Sequence, residues 1–292
     1  MTQKQANLLL ATVSLGWGTS YIFMKLLVDS VSPFTVVALR FGIAFLVMIV
    51  IFYKKLISVN TKILKYSAIV GALLCGIFIA LMYGMKTTTA SSAGFLTSTT
   101  VILVPILQTL ITGKLPRKEI TYGVITVSIG LSLLTITNNF TFALGSLLCL
   151  VAALLYAVHI IVTNYFVQEL DALQFGMFQL GFASIYATIG IFLFETPALP
   201  IEAVEWLALL GLAIICSAYG FVMQPIAQKY TTPESTGFVF SLEPVFSAIF
   251  AFIFLSENMG GQGYLGALLI LVGVLIANLP SKKQMILEEI KE

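Results

Sequence analysis

Ser241-Leu-Glu-Pro-Val-Phe-Ser-Ala-Ile-Phe-Ala-Phe-Ile-Phe-Leu-Ser-Glu257 is an apolar stretch interrupted near its start by one carboxylate, Glu243, and one proline, Pro244. A carboxylate near the centre of a bilayer costs roughly 2.5–3.5 kcal/mol on insertion scales, so it is kept facing a cavity or a partner, not lipid. The proline lacks a helix donor and is expected to free a carbonyl at the same depth. Charge and interrupted backbone hydrogen bonding, placed together inside an apolar run, are the local chemistry of a solute pathway.

The whole chain agrees with a membrane reading. It has 292 residues, of which 59% are hydrophobic and only 10% charged. A soluble domain carries about 25% charged residues, so this chain cannot cover a water-facing surface. Cys75, Cys149 and Cys216 all fall inside apolar runs and read as small hydrophobes, with neither disulfide nor metal spacing. No cofactor or metal is implied. The first apolar run, near 7–27, lacks a small-residue cleavage site and is read as a retained span.

About twenty apolar residues cross the hydrocarbon core. Runs near 7–27, 33–53, 65–85, 91–112, 120–137, 143–166, 173–194, 204–226, 235–256 and 262–279 meet that length. Backbone groups in lipid must be paired within the segment, so each run is predicted to be helical. The expected fold is therefore an all-α integral membrane protein of ten transmembrane helices. Basic residues orient it: Lys4, Lys54, Lys55, Lys62, Lys65, Lys114, Arg117, Lys118, Lys229, Lys282, Lys283 and Lys291 all share one side if the span count is even. The opposite loops, near 28–32, 138–142, 195–203 and 257–262, carry no Lys or Arg. Both termini are thus expected in the cytoplasm, with the chain in the cytoplasmic (inner) membrane. Lys25 and Lys86 lie near outer helix ends, where long side chains snorkel.

The two halves match each other. At an offset of 139, Trp17 meets Tyr156, Lys25 meets Asn164 and Arg40 meets Gln179. At an offset of 143, Lys86-Thr-Thr-Thr-Ala-Ser-Ser-Ala-Gly94-Phe95 meets Lys229-Tyr-Thr-Thr-Pro-Glu-Ser-Thr-Gly237-Phe238, and Gly123 and Gly130 meet Gly266 and Gly273. Five crossings per unit place the second unit upside down relative to the first. The expected units are a first repeat over 1–138, an inverted second repeat over 139–280, and a short cytoplasmic tail over 281–292. Inverted repeats are a building plan of secondary transporters, with the solute site at the repeat interface.

Trp17-Gly18 in the first span, Arg40-Phe41 in the second, Ser241-Leu-Glu-Pro-Val in the ninth, and Ser256-Glu257 followed by Gly266 and Gly273 carry a resemblance to the drug/metabolite transporter superfamily, specifically its EamA-type transporters. The resemblance runs over roughly 6–279. It implies ten helices in two inverted EamA repeats and export or exchange of small metabolites across a cytoplasmic membrane. The alternating access expected of this chain comes from the inverted repeats, whose two packing arrangements can exchange roles and open the site to one side or the other. It leaves the solute open, because such transporters carry amino acids, nucleotide precursors, cations and drugs. One departure is Gly113-Lys114, where the family often has Gly-Glu.

Several residues are candidates for the pathway. Glu243 can bind a cationic group, carry a proton or hold a neighbouring helix. Arg40 suits a carboxylate or phosphate, or pins one helix to another. His159, the single histidine, is the other proton-coupling candidate, against a local packing role. Trp17 and Tyr21 share a helix face and, with Tyr83, Tyr156 and Tyr219, supply aromatic walls or interfacial anchors. Ser20, Thr99 and Gln179 add hydrogen-bonding groups, as do Thr100, Asn164 and Gln224. Gly123 with Gly130, and Gly266 with Gly273, lie two turns apart and read as close helix packing. The leading function is a secondary transporter for amino-acid-like solutes or amphipathic drugs. A non-transporting sensor or assembly protein is the alternative. A membrane-embedded enzyme is disfavoured, since both aspartates, Asp29 and Asp171, lie in loops. No Gly-rich phosphate loop occurs and no nucleic-acid partner is implied; the partners are a small-molecule solute and membrane lipid, with the oligomeric state open.

Overall fold

The polar residues between the apolar runs start and stop the helices. In the computed structural model, which describes residues 1–55, 59–88, 90–135, 144–255 and 260–277, Thr2 and Gln5 form a reciprocal capping box at the start of α1 (Gln3–Gly18). Asn60 accepts the Ile63 N–H to open α4 (Thr61–Thr87). Asp171 accepts the Leu173 and Gln174 N–H groups to open α9 (Ala172–Phe194). Each cap satisfies donors that a helix start leaves unpaired. The remaining helices are α2 (Ser20–Leu27), α3 (Pro33–Ile51), α5 (Ala90–Ser98), α6 (Thr100–Thr112), α7 (Lys118–Thr135), α8 (Leu144–Val167), α10 (Ala203–Gly211), α11 (Gly220–Gln228), α12 (Pro233–Phe240), α13 (Glu243–Leu255) and α14 (Gly260–Ala277). A π-helical segment, Leu212–Tyr219, joins α10 to α11. Among the described residues there is no strand. The Ser256-Glu257 landmark, the loop near 138–142 and the tail 281–292 with Lys282, Lys283 and Lys291 lie outside the described residues.

Five stretches are long and apolar enough to cross a bilayer: Pro33–Ile51, Thr61–Thr87, Leu144–Val167, Ala172–Phe194 and Ala203–Gln228. Shorter apolar helices accompany them. Large apolar side chains such as Leu110, Phe192 and Ile201 stand exposed on the outer faces, an arrangement that lipid solvates and water does not. The chain is a multi-pass membrane protein.

Four runs are interrupted, and each interruption is chemically satisfied. At three of them a hydroxyl turns back onto a carbonyl three residues earlier: Thr19 Oγ1 donates to Gly16 O at 2.7 Å, Thr99 Oγ1 to Leu96 O at 2.6 Å, and Ser241 Oγ to Phe238 O at 2.6 Å. The fourth is the π-helical segment. The break near Glu243 differs from the sequence expectation. It falls at Ser241 and Leu242, ahead of Pro244, which sits in the first turn of α13. There a missing N–H costs nothing, so the serine hydroxyl, not the proline, marks the interruption.

Packing places these interruptions together. α3 lies on α9, α4 on α8 and α9, α1 on α11, α12 and α13, and α7 on α14. The α7–α14 contact is built by the expected glycines: a Cβ on Gly130 would stand 2.7 Å from Gly266 O, and one on Gly273 would stand 3.0 Å from Gly123 O. Only hydrogen side chains permit this backbone approach.

Candidate functional site

The buried centre of the molecule is aromatic. Trp17 packs at 4.8 Å from both Phe221 and Phe240 and at 5.9 Å from Tyr156; Phe78 meets Phe41 at 5.4 Å and Phe221 at 5.6 Å. The indole is fixed by the π-helical segment. There Gly220 N–H bonds to Ser217 O, which leaves Cys216 O without the usual helical donor. Trp17 Nε1–H takes that carbonyl at 2.7 Å.

Arg40 is 1% exposed at this depth. Its Nε donates to Ser217 Oγ at 3.0 Å, and its guanidinium carbon lies 4.1 Å from the Phe78 ring centroid and 5.0 Å from that of Phe41. The ring faces offset part of the desolvation cost of the cation. No carboxylate pairs with it among the described residues, and Nη2 has no hydrogen-bond partner. Glu243, the first residue of α13, stands beside the Tyr21 side chain, which also neighbours Thr97.

These groups enclose one cavity, lined by Trp17, Ser20, Tyr21, Arg40, Ile77, Phe78, Leu81, Thr97, Tyr156, Phe221 and Glu243. Its volume is about 20 Å³, on the scale of one or two water molecules. A second, smaller cavity continues from Glu243 and Tyr156 past Ser98, Thr100, Gly237 and Ser241. The carboxylate therefore stands between two hollows, at the meeting point of three of the interrupted runs.

The matching family model spans residues 4–136 and again 143–279, and is described as the EamA-like transporter family. The chain belongs to the EamA-like transporter family. An uncharacterized transporter of Archaeoglobus fulgidus is 30% identical over 94% of this chain and 86% of its own length. The uncharacterized transporter YoaV of Bacillus subtilis is 24% identical over 90% of this chain and 93% of its own. A crystal structure superposes with a TM-score of 0.79 at 20% identity, covering 98% of this chain and 99% of that one, a likeness of fold alone. This EamA-like protein is thus a membrane transporter, in a family of transporters, not of enzymes.

Within the EamA-like fold the other sequence candidates take different places. His159 and Gln179, both fully buried, sit behind the cavity wall. Pro225 has no N–H, so Phe221 O is free, and Gln179 Nε2 donates to it at 2.6 Å. Gln179 Oε1 is then the acceptor for His159 Nε2–H at 3.1 Å, which fixes the tautomer and leaves Nδ1 without a partner. Thr99 forms a helix break, not a cavity wall. Tyr219 faces outward, 37% exposed, bonded to Thr12 Oγ1 at 2.6 Å. Tyr83 lies at the far end of α4, where its hydroxyl donates to Glu195 Oε1 at 2.7 Å; Glu195 Oε2 accepts the Phe34 N–H at 3.1 Å.

Sequence reasoning missed Phe78, Phe221, Thr97 and Ser217. Phe78 and Phe221 are separated by the same offset of 143 that relates Gly94 to Gly237, so the repeat carried a signal for both. Ser217 had none. Its role depends on the π-helical turn that aims it at Arg40.

Proposed function

We propose that this EamA-like protein is a secondary transporter that carries a small solute bearing both a cationic and an anionic group, such as an amino-acid-like metabolite, by alternating access. The observation that carries the reading is the central cavity. It holds an unpaired guanidinium from α3 and a carboxylate from α13, not joined to each other, within aromatic walls. A zwitterion would satisfy Arg40 Nη2 with its acid and Glu243 with its ammonium, while Trp17, Tyr156 and Phe221 cover its apolar part. The cavity is small, so entry requires the surrounding helices to part.

The two-unit reading, 1–138 and an inverted 139–280, is supported by the two matches to one family model. It is supported as well by the pairing of helices. α3–α9 and α7–α14 each join a helix to its own repeat counterpart; α4–α8 is mirrored by α1–α11, and α6–α8 by α1–α13. Ten spans with both termini in the cytoplasm put every basic loop on one side of the inner membrane. Export or exchange, without direct use of ATP, follows from this reading. Glu243 is its coupling group, because it lines the cavity whereas His159 is held behind it.

The test is a metabolite screen in reconstituted vesicles with and without a pH gradient. Saturable flux of a zwitterionic solute is expected, with Glu243→Gln altering uptake or its pH dependence while the protein still inserts. Wild-type flux no greater than that of protein-free vesicles for every solute would reject the reading. Flux by Glu243→Gln equal to wild type at every pH would remove the carboxylate from the mechanism.

A further inference from the structure

From the cavity toward the end of the molecule that carries Lys229, the seam between α8 and α11 stays polar. Tyr156, His159 and Thr163 share one face of α8; Phe221, Gln224 and Gln228 share one face of α11. His159 and Phe221 touch across the seam at 6.2 Å, Gln228 Nε2 donates to Ile160 O at 3.0 Å, and Asn164 Nδ2 closes the end by donating to Gln228 O and Thr231 O, both at 2.8 Å.

The seam is under-satisfied. Thr163, Gln224 and Gln228 are each 0% exposed. Thr163 Oγ1, both amide atoms of Gln224, and Gln228 Oε1 have no hydrogen-bond partner. Burying such atoms unpaired costs about 1–3 kcal/mol each, which is recovered when water reaches them. The repeat-related positions toward the opposite end are different. At the offsets of 139 and 143, Thr163 corresponds to Met24, Gln224 to Leu81 and Gln228 to Met85. All three are buried hydrophobes, and wetting them is unfavourable at about 25 cal/mol per Å². At these three paired positions the halves therefore differ in what opening does: one exposes polar atoms that lack partners, the other exposes apolar surface.

We propose that the α8–α11 seam is the cytoplasmic gate, and that the unpartnered polar atoms of Thr163, Gln224 and Gln228 bias the solute-free transporter toward opening on that side. The assignment of sides rests on the orientation given under the proposed function. A carrier biased this way waits with its cavity open to cytoplasmic solute, the loading state an exporter needs. Thr163, Gln224 and Gln228 act on the equilibrium between states; none of them lines the central cavity.

The experiment uses Ser20→Cys as a reporter in the cavity wall, with Cys75, Cys149 and Cys216 replaced by alanine. A membrane-impermeant maleimide is applied, without solute, to the cytoplasmic face and separately to the external face of oriented membrane vesicles. Labelling is expected to be faster from the cytoplasm. The pair Thr163→Val and Gln224→Leu should slow cytoplasmic labelling about tenfold, the equivalent of one relieved polar group, and raise the thermal midpoint of the detergent-purified protein. Gln224→Met alone should shift both readouts in the same directions by less, which keeps the test available should the double variant not fold. Faster external labelling, or unchanged cytoplasmic labelling in a folded variant, overturns the gate. A wild type that labels as expected yet moves no solute supports the gate and rejects the transport reading instead.

Discussion

Gly18→Ala is the sharpest probe of how the cavity is built. A Cβ at position 18 would stand 2.7 Å from Phe246 Cβ and 3.0 Å from Ser247 N, both at or next to the backbone of α13. Neither atom can rotate aside, so α1 and α13 must separate by several tenths of an ångström. Overpacking of this kind costs about 1–3 kcal/mol. The alanine returns up to about 1 kcal/mol of helix propensity, which leaves a net loss of roughly 0–2 kcal/mol. Gly76→Ala is the matched control, because its Cβ would meet only the tip of Leu155, at 3.3 Å, and that side chain can yield. The same chemical change is thus expected to lower the thermal midpoint at position 18 and to leave it unchanged or raise it at position 76. Glu243 lies three residues before Phe246 on α13, so Gly18→Ala should also lower solute flux beyond what its stability predicts. The assay is thermal unfolding of detergent-purified protein followed by size-exclusion fluorescence, alongside flux in vesicles. Equal midpoints for the two variants would refute the argument that rigid α1–α13 contact sets the site.

Gly130→Leu should prevent accumulation of folded protein, because its side chain would enter the backbone of α14 at Gly266 and Ile270; normal yield by size exclusion would contradict the close seam. Arg40→Lys keeps the charge but loses the ring stacking and the planar fork, and should weaken solute binding at least about tenfold in a folded protein, measured by saturation of flux. At the start of α9, burial pushes the Asp171 carboxyl up, but bonds from Lys55, Gln174 and Leu173 outweigh it and hold the group below its ordinary value of 3.8. Its contribution is therefore present above that value and lost as pH falls through the lower, folded-state value. Asp171→Ala should cost about 0.5–2 kcal/mol and Asp171→Asn less, since asparagine still caps; melting curves at neutral pH distinguish them.

Membrane residence, the helical runs and the glycine seam were legible because each depends on local composition. A bilayer requires long apolar segments with internally paired backbone, and Gly123, Gly130, Gly266 and Gly273 announce close approach by their spacing alone. Trp17, Tyr21, Arg40 and Glu243 could be singled out for the same reason, since polar or aromatic groups inside apolar runs stand out. Their convergence could not be read. Arg40 and Ser217 meet only through the π-helical turn, and Trp17 finds Cys216 O only because that turn releases the carbonyl. His159 and Gln179 are joined to the carbonyl that Pro225 leaves free only through packing, which no local pattern announces. Which segments lie in lipid follows from composition read along the chain, because hydrocarbon selects residue by residue. Tertiary structure alone decided which polar atoms end up paired, facing the cavity or stranded in a seam, because that depends on helix rotation and on partners far away in the chain.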